Sequence, residues 1–373
     1  MFINTEAVIS SAAAGLQLWV FYVVPALFPF FIISDLVMKQ GFIHFLGVLL
    51  EPLMRPIFRL PGKASFVIAM THAAGIPIGA ILTCQMRKTG ELSQIEGQRL
   101  LAFTSNPSPG FIFGAVASGM LGKPFLGIII AASVYLANLL VGLIFRFYGS
   151  DSSPSSAYSF SFQQALREME IARQNYKKPF GEMIADAIRD SVSTILLVGG
   201  FIVFFSVATR MLDILLISTK LAEVVTIITA NKLSLANGKA LIQGLMETTL
   251  GCQAATTAFS SLNAQVGMLA FLLGWGGLSA FAQVASFSST TDLRFLPFVM
   301  ARVLHAFFAL FLSQILMRYA VVPTSLPAML SDQSNLWLYV LRWGLLYSGG
   351  TLLLLTISSL FLAFSRRYIK TKN

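Results

Sequence analysis

Polar side chains gather where glycine or proline interrupts the apolar segments of this sequence. In the first half they follow Met70 in MTHAAGIPIGA and Phe103 in TSNPSPG, and in the second half they follow Leu245 in METTLGCQAAT and Trp275 in GGLSAFAQVASFSSTTD. Such groups cost free energy inside a membrane unless they are paired or hydrated. Broken helices also present N-termini whose free N–H groups suit a carboxylate or phosphate. These segments therefore predict a site for a small polar solute, bound without a metal ion.

The candidate substrate-binding residues come from these two pairs of breaks. They are His72, Gly75, Pro77, Thr104, Ser105, Asn106, Ser108, Glu247, Thr248, Thr249, Gly251, Gln253, Gln283, Ser286, Ser289 and Thr290. A structural role is the alternative for each one, because Ser and Thr in membrane helices often bond their own backbone or join helices. As a set at two matched breaks, they favour a binding site.

Two titratable residues are the most informative members of this set. Glu247 lies beside a break, where a carboxylate is either a substrate or proton group or the buried partner of a cation. His72 is a candidate proton-responsive ligand, and a packing histidine is the alternative. These two are the groups that we expect in any proton coupling. Asp292, Arg294 and Arg302 lie near a predicted helix boundary, and we interpret them as interfacial residues.

Motifs for catalysis are missing from this sequence. The three histidines have no metal-ligand spacing with cysteines or acids, so a zinc site is not expected. The sequence contains no GxxxxGKS or GxxxxGKT motif, which argues against a phosphate-binding loop. Cys84 and Cys252 form no CxxC motif, and we interpret them as packing residues. We therefore predict a protein that is not an enzyme, with no catalytic residues, no metal and no cofactor.

The composition defines the environment of these residues. The chain is 56% hydrophobic and 11% charged, with a mean hydropathy of +0.76, whereas soluble domains carry roughly 25% charged residues. This predicts an all-α polytopic membrane protein with about eight to ten spans or half-spans. The net charge of +10 comes from basic residues at the ends of apolar runs, which favours a lipid bilayer over nucleic acid as partner. The basic cluster Arg366–Lys372 predicts a cytoplasmic C-terminus by the positive-inside rule.

The breaks also indicate how the helices are organised. Gly75 and Pro77 would leave backbone groups unpaired if they faced lipid, so their segment predicts a re-entrant helical hairpin. At an offset of 176 positions, Gly75 falls on Gly251 and Phe111 falls on Phe287. Interrupted segments at corresponding positions of two halves are typical of transporters with inverted repeats.

The predicted fold is therefore a pair of inverted repeats, each with a re-entrant helical hairpin and broken helices. A polar, Ser-rich stretch separates the halves. The predicted regions are a first membrane repeat with its N-terminal span or spans (1–148), a polar linker with an amphipathic segment (149–190), a second membrane repeat (191–322), and a C-terminal span with a basic tail (323–373).

Three segments of the chain resemble a known family. ALFPFFIISDL, LLEPLMRPIFRLPG and FTSNPSPGFIFGAVASGMLG are similar to the YlbJ family of sporulation integral membrane proteins from endospore-forming bacteria. That family belongs to the nucleoside-recognition or Gate group, which resembles concentrative nucleoside transporters. The resemblance runs from about Leu16 to Val322. It implies inverted repeats with re-entrant hairpins, and a substrate site between the hairpin tips and the neighbouring broken helices.

The resemblance also implies a role in sporulation. The expected function is export of a small anionic metabolite, dipicolinic acid, from the mother cell to the developing spore. The expected location is the bacterial cell membrane, and in particular the mother-cell-derived membrane around the spore. Two alternatives stay open: a nucleoside-type carrier, which would use Asn, Gln and Glu for ribose and base, and a non-transporting membrane scaffold needed for spore formation. The chain is also compatible with a homo-oligomer.

Overall fold

The computed structural model describes residues 4–149, 162–175 and 178–319, and every regular element within these ranges is helical. The predicted all-α class is therefore confirmed for this part of the chain. The predicted last span and the basic C-terminal cluster lie outside the described residues. The helices of the first half are α1 (Thr5–Leu18), α2 (Val24–Lys39), α3 (Phe42–Phe58), α4 (Ala64–Ala74), α5 (Ile78–Lys88), α6 (Gln94–Phe103), a π-helix (Gly110–Met120) and α7 (Leu126–Phe145).

Between the Ser-rich stretch and the second half lies helix α8 (Phe162–Asn175). It packs against α3, where the rings of Phe162 and Phe45 lie 5.6 Å apart. The helices of the second half are α9 (Phe180–Ile214), α10 (Ile217–Ile228), α11 (Leu235–Met246), α12 (Thr248–Ala258), α13 (Leu262–Trp275), α14 (Gly277–Ser288) and α15 (Phe295–Tyr319).

Several of these helices are long and apolar enough to cross a bilayer. Within the described ranges they are four: α7, α9, the α13–α14 pair and α15, or five if the bent α2–α3 pair counts as one span. By length and composition, the described part of the chain therefore has several candidate membrane spans. The remaining apolar helices are shorter, because glycine and proline divide them.

The core lies around α15, which packs between α7 and α13. Small residues allow this close approach, because a Cβ at Gly274 would lie 2.8 Å from the Cα of Ala306. A Cβ at Gly142 of α7 would likewise lie 3.0 Å from the ring of Phe103. Packing of this kind is what holds membrane helices together, since lipid tails are as apolar as the side chains that they would replace.

The first hairpin consists of α4 and α5, which run antiparallel. Its open end is closed by an ion pair between Lys63, before α4, and Glu91, after α5, with Nζ and Oε2 2.5 Å apart. Each arm has 11 residues, or about 17 Å, which is too short to cross the roughly 30 Å hydrocarbon layer. The tip is formed by Gly75, Ile76 and Pro77, with Gly75 at a φ of 87°.

The second hairpin consists of α11 and α12, which also run antiparallel. Asn237 Nδ2 at the start of α11 donates to Ala258 O at the end of α12, at 3.0 Å. The arms touch through glycine, because a Cβ at Gly251 would lie 2.0 Å from the Cα of Gly244. The tip is Glu247, the single residue between the two helices.

A broken helix follows each hairpin. The first break, Thr104–Ser108, separates α6 from the π-helix, and α7 comes next. The second break, at Gly276 and Gly277, separates α13 from α14, and α15 comes next. Both of these glycines have a positive φ, of 89° and 75°, a conformation that glycine adopts without a steric penalty. The order hairpin, helix, break, helix, span thus occurs in both halves.

The predicted offset of 176 between the halves is wrong. Gly75 lies at a hairpin tip, whereas Gly251 lies in the first turns of α12 and packs on Gly244. Phe111 is the second residue of the π-helix, whereas Phe287 is the second-last residue of α14. The two glycines serve different purposes, one a left-handed turn and the other a close helix contact, so their identity did not report structural equivalence.

Candidate functional site

Each hairpin tip packs directly on the break that follows it. A Cβ at Gly75 would lie 2.8 Å from Ser108 N in the first break, and a Cβ at Gly79 would lie 1.8 Å from Thr104 O. In the second half, a Cβ at Gly277 would lie 2.9 Å from Thr248 Oγ1. In each half, a hairpin tip thus lies against the break that follows it in the chain.

The two tip-and-break pairs adjoin each other, and we call the region where they meet the junction. The Ile76 side chain of the first tip lies 3.6 Å from the position of a Cβ at Gly276 in the second break. The guanidinium of Arg302, from α15, lies 3.5 Å from the same position. Four helices begin at the junction, α5, the π-helix, α12 and α14, and four end there, α4, α6, α11 and α13. Helix N-termini carry a partial positive charge and C-termini a partial negative charge, so the helix ends place both signs at the junction.

Arg302 lies at the centre of the junction, and its side chain is only 1% exposed. Its Nη1 donates to Ser105 O of the first break at 2.5 Å, and its Nε donates to Trp275 O at 3.1 Å. Its Nη2 donates to the carbonyl oxygens of Leu273, at 3.3 Å, and Gly274. Arg302 therefore joins the first break to the last turn of α13, whose carbonyls have no partner within the helix.

The interpretation of Arg302 as an interfacial residue is wrong. The signal that could have corrected it is its setting in FVMARVLHAFF, since an arginine within an apolar span marks a functional site by default. Asp292, in contrast, lies at the surface and is 48% exposed at its side chain. There it pairs with Arg87, with Nη2 and Oδ2 2.8 Å apart, and the Arg87 guanidinium lowers the pKa of the Asp292 carboxyl.

Several buried polar atoms at the junction have no hydrogen-bond partner within the described residues. Asn106 is fully buried, and both ends of its amide are unpartnered. The hydroxyls of Ser105 and Thr248 and the Nδ1 of His305 are also unpartnered. Most buried polar side chains are bonded, so a group of free donors and acceptors in one region requires an explanation.

Glu247 caps the start of α12. Its Oε2 accepts a hydrogen bond from Leu250 N at 2.8 Å, and its side chain is buried at the second tip. Within the described ranges, no Lys, Arg or His nitrogen lies within 4.0 Å of the Glu247 carboxyl group. Among these residues, Glu247 is therefore not the buried partner of a cation. The capping bond gives Glu247 a structural role at the second tip.

The two buried histidines near the junction differ in their bonding. His72 Nδ1 lies 2.7 Å from Ile68 O, and its ring lies 5.1 Å from that of Tyr135. His305 Nε2 lies 2.8 Å from Val134 O of the neighbouring helix α7. His305 was not among the predicted residues, although it follows Arg302 by one helical turn on the same face of α15.

The other predicted residues divide between the junction and more distant positions. Pro77 lies at the first tip, and Thr104 Oγ1 bonds its own helix at Leu100 O, 2.8 Å away. Thr249 lies in the first turn of α12, and Gln283 is buried about 9 Å along α14 from the second break. The structure does not bring Gly251, Gln253, Ser286, Ser289 and Thr290 to the junction.

Distance along the helices is the reason for this division. Ser289 and Thr290 follow α14 about 18 Å from its start and bond to the carbonyls of its own last turn. Gln253 faces outward from α12 and is exposed. Among the described residues, no group of three or more His, Cys, Asp or Glu is close enough to hold a metal ion.

A cavity of about 250 Å³ reaches the first tip from the side. It follows one face of α5 from Ile78, beside the tip, to Gln85 near the outer end. Asp35 of α2 and Asp190 of α9 lie on its other wall, and Lys39 pairs with Asp35 and lies 3.9 Å from Asp190.

These features define a helical membrane protein built around paired, broken helices. The family model described as nucleoside recognition, Gate, matches residues 20–165. The chain is 40% identical over 316 residues to the sporulation integral membrane protein YlbJ of Bacillus subtilis, covering 82% of this chain and 76% of that protein. The chain therefore belongs to the YlbJ family of sporulation integral membrane proteins.

A second relative is more distant. An uncharacterized protein of Alkalihalophilus pseudofirmus is 26% identical over 125 residues, which cover 32% of this chain and 27% of that protein. No solved structure matches the chain.

Proposed function

We propose that this protein is a membrane transporter of a small anionic metabolite, with dipicolinic acid, exported from mother cell to developing spore, as the substrate. The observation that carries the proposal is the set of unpartnered polar groups at the junction, above all the Asn106 amide. The guanidinium of Arg302 bonds Ser105 O, next to Asn106, and a guanidinium favours a carboxylate. The sporulation family and the Gate match support the same conclusion.

The transport mechanism in this proposal is alternating access between two inverted repeats, 1–148 and 191–322, joined by the linker 149–190. Neither hairpin is long enough to span the bilayer, and each closes on a break, which supports re-entrant hairpins that open and close around the substrate. The cavity beside α5 supports an access route to the first tip. In this proposal the protein lies in the mother-cell-derived membrane around the spore, residues 323–373 form a last span with a basic tail, and the C-terminus is cytoplasmic.

A nucleoside-type carrier is the second candidate, and the Gate match, described as nucleoside recognition, favours it. The amide of Asn106 and the hydroxyl of Thr248 could bind ribose or a base edge. The buried guanidinium of Arg302 is better suited to an anion than to a neutral nucleoside. Uptake of the two solutes therefore separates these candidates.

The test is uptake of labelled dipicolinate and labelled uridine into proteoliposomes that contain the purified protein. Asn106→Ala should abolish dipicolinate uptake without loss of folding, because a side chain with no hydrogen-bond partner has little structural bonding to lose. Gln253→Ala is the matched control, since Gln253 is exposed on α12, and it should transport normally. Uptake of uridine alone would support the nucleoside carrier. If neither solute is transported, the non-transporting membrane scaffold is the remaining candidate.

A further inference from the structure

Arg302 is a buried cation whose hydrogen-bond acceptors are backbone carbonyl oxygens rather than a carboxylate. They are Ser105 O, Leu273 O, Gly274 O and Trp275 O. Among the described residues, no Asp or Glu oxygen lies within 4.0 Å of its guanidinium. Carbonyl dipoles compensate a buried positive charge only in part, and a carboxylate would compensate it far better.

The surroundings of Arg302 contain a second, independent feature of a ligand site. Ser105, whose carbonyl accepts from Arg302, has a buried hydroxyl without a partner, and the neighbouring Asn106 is fully buried with both amide atoms unpartnered. A guanidinium, a hydroxyl and an amide in one region can bind a carboxylate and orient the molecule that carries it.

We propose that Arg302 binds the carboxylate of the substrate, and that this carboxylate takes the place of Ser105 O on the guanidinium. The proposal deepens the proposed function and rests on it. Arg302 belongs to the second half, and Ser105 O is its contact with the first half. Exchange of that carbonyl for a substrate carboxylate releases the first break from α15. Substrate binding is thereby linked to movement of the first break relative to α15.

The specificity of the site follows from the same contact. A solute with a carboxylate gains the guanidinium as its partner, whereas a neutral solute of the same shape would leave Arg302 on Ser105 O. We therefore expect dipicolinate to bind more tightly than its neutral diamide, with picolinate, which has one carboxylate, bound through Arg302 as well.

The experiment measures binding by calorimetry to purified protein in detergent, for wild type, Arg302→Lys and Arg302→Gln. Dipicolinate, picolinate, dipicolinic diamide and uridine are the ligands. The lysine variant keeps the charge and loses the planar fork of donors. The expected result is a rise of at least tenfold in the Kd of dipicolinate and of picolinate in Arg302→Lys, and a larger rise in Arg302→Gln.

Arg99→Lys is the matched control. Arg99 is also buried, and its guanidinium donates to backbone carbonyls of Arg59, Tyr148 and Gly149, which lie outside the junction. Its replacement should leave the Kd of dipicolinate unchanged. Monodisperse elution and an unaltered helical circular-dichroism spectrum identify which variants fold.

The outcomes separate this inference from the proposed function. If folded Arg302→Lys binds dipicolinate as wild type or Arg99→Lys does, the inference is wrong, while wild-type flux in proteoliposomes would still support the transporter. If wild type binds dipicolinate through Arg302 but shows no flux, the transporter is wrong and the carboxylate site stands. Wild type that binds no carboxylate overturns the inference directly.

Discussion

The two hairpins share the same arrangement of two antiparallel helices, but different types of residue form their tips and their open ends. In the first hairpin most described side chains of α4 and α5 are buried, the tip is Gly75–Pro77, and the open end is held by charged residues. In the second hairpin more of α11 and α12 is exposed, the tip is Glu247, and the open end is held by a neutral bond from Asn237.

This difference indicates unequal roles. The first tip contacts its break through backbone atoms, with a Cβ at Gly79 only 1.8 Å from Thr104 O, so this hairpin is a fixed wall of the junction. The second tip contributes side-chain polar groups, Glu247 and Thr248, and its arms are less enclosed by protein. We therefore expect the second hairpin to be the one that moves when the site opens.

The largest expected effect comes from adding a methyl group inside each hairpin. Gly79→Ala would bring a Cβ against Thr104 O, and Gly251→Ala would bring one to 2.0 Å from the Cα of Gly244. Overpacking of this kind costs about 1–3 kcal/mol. We expect Gly79→Ala to lower the unfolding temperature more, because the buried first hairpin has less room to relax. Thermal unfolding in detergent measures this.

Gly200→Ala on α9 is the control for these two changes, since nothing lies within 4 Å of its added Cβ. It should leave the unfolding temperature at or above that of wild type. A Gly79→Ala protein as stable as the control would contradict the close contact between the first tip and its break. Equal losses in the two hairpins would remove the argument that the second is the more adaptable.

The next effect concerns the carboxyl group at the tip of the second hairpin. Glu247→Ala removes the cap on Leu250 N and should cost about 1 kcal/mol. Glu247→Gln keeps a side-chain oxygen for the cap and loses the ionisable carboxyl group. We expect Gln to restore stability but not flux. Thermal unfolding and amide hydrogen exchange at the start of α12 measure the cap, and proteoliposome uptake measures transport.

A purely structural Glu247 would give a different pattern. In that case Gln would restore both stability and uptake, and the second tip would then be as inert chemically as the first. Such a result would leave Asn106 and Arg302 as the polar centre of the junction.

The smallest effect concerns the open end of the first hairpin. Hydrogen bonds from His44 and Lys63 lower the pKa of Glu91 to about 2 from its ordinary value of 4.5. Because the folded-state pKa is depressed, these contacts contribute stability above about pH 4.5, and that stability is lost as the pH falls toward 2. The contribution should be about 1 kcal/mol after solvent screening.

Glu91→Gln should therefore be less stable than wild type at neutral pH and should converge with it near pH 2. Denaturant unfolding across this pH range measures the difference. The second hairpin offers the matched test, because Asn237→Ala removes a neutral bond and should cost the same at every pH. A Glu91 effect that does not change with pH would contradict the ionic closure of the first hairpin.

Much of the architecture was predictable from local sequence. Glycine and proline in MTHAAGIPIGA and TSNPSPG marked the first tip and the first break, and METTLG marked the second tip. These signals are local, because a backbone without a Cβ or without an N–H interrupts a helix wherever it occurs. The offset of 176 failed because a glycine identity does not report whether it supplies a turn or a close contact.

The polar centre was predictable only in part. Ser105, Asn106 and Thr248 were identified from their place beside breaks, whereas Gln253, Ser289 and Thr290 were included for polarity and lie elsewhere. Arg302 was assigned to the interface because its distance along the chain from a predicted boundary was short. The rotation of α15 and its packing between α7 and α13 decide that the side chain points inward.

The sequence by itself determined that the chain is a helical membrane protein with paired breaks in its helices. Hydropathy, glycine and proline act within a few residues, so these properties need no tertiary contacts. Only the tertiary structure decided which breaks meet and which cation lies between them. Ser105 and Arg302 are 197 positions apart, and their contact depends on how α15 packs against both halves. Local sequence carries no signal for a contact over that separation.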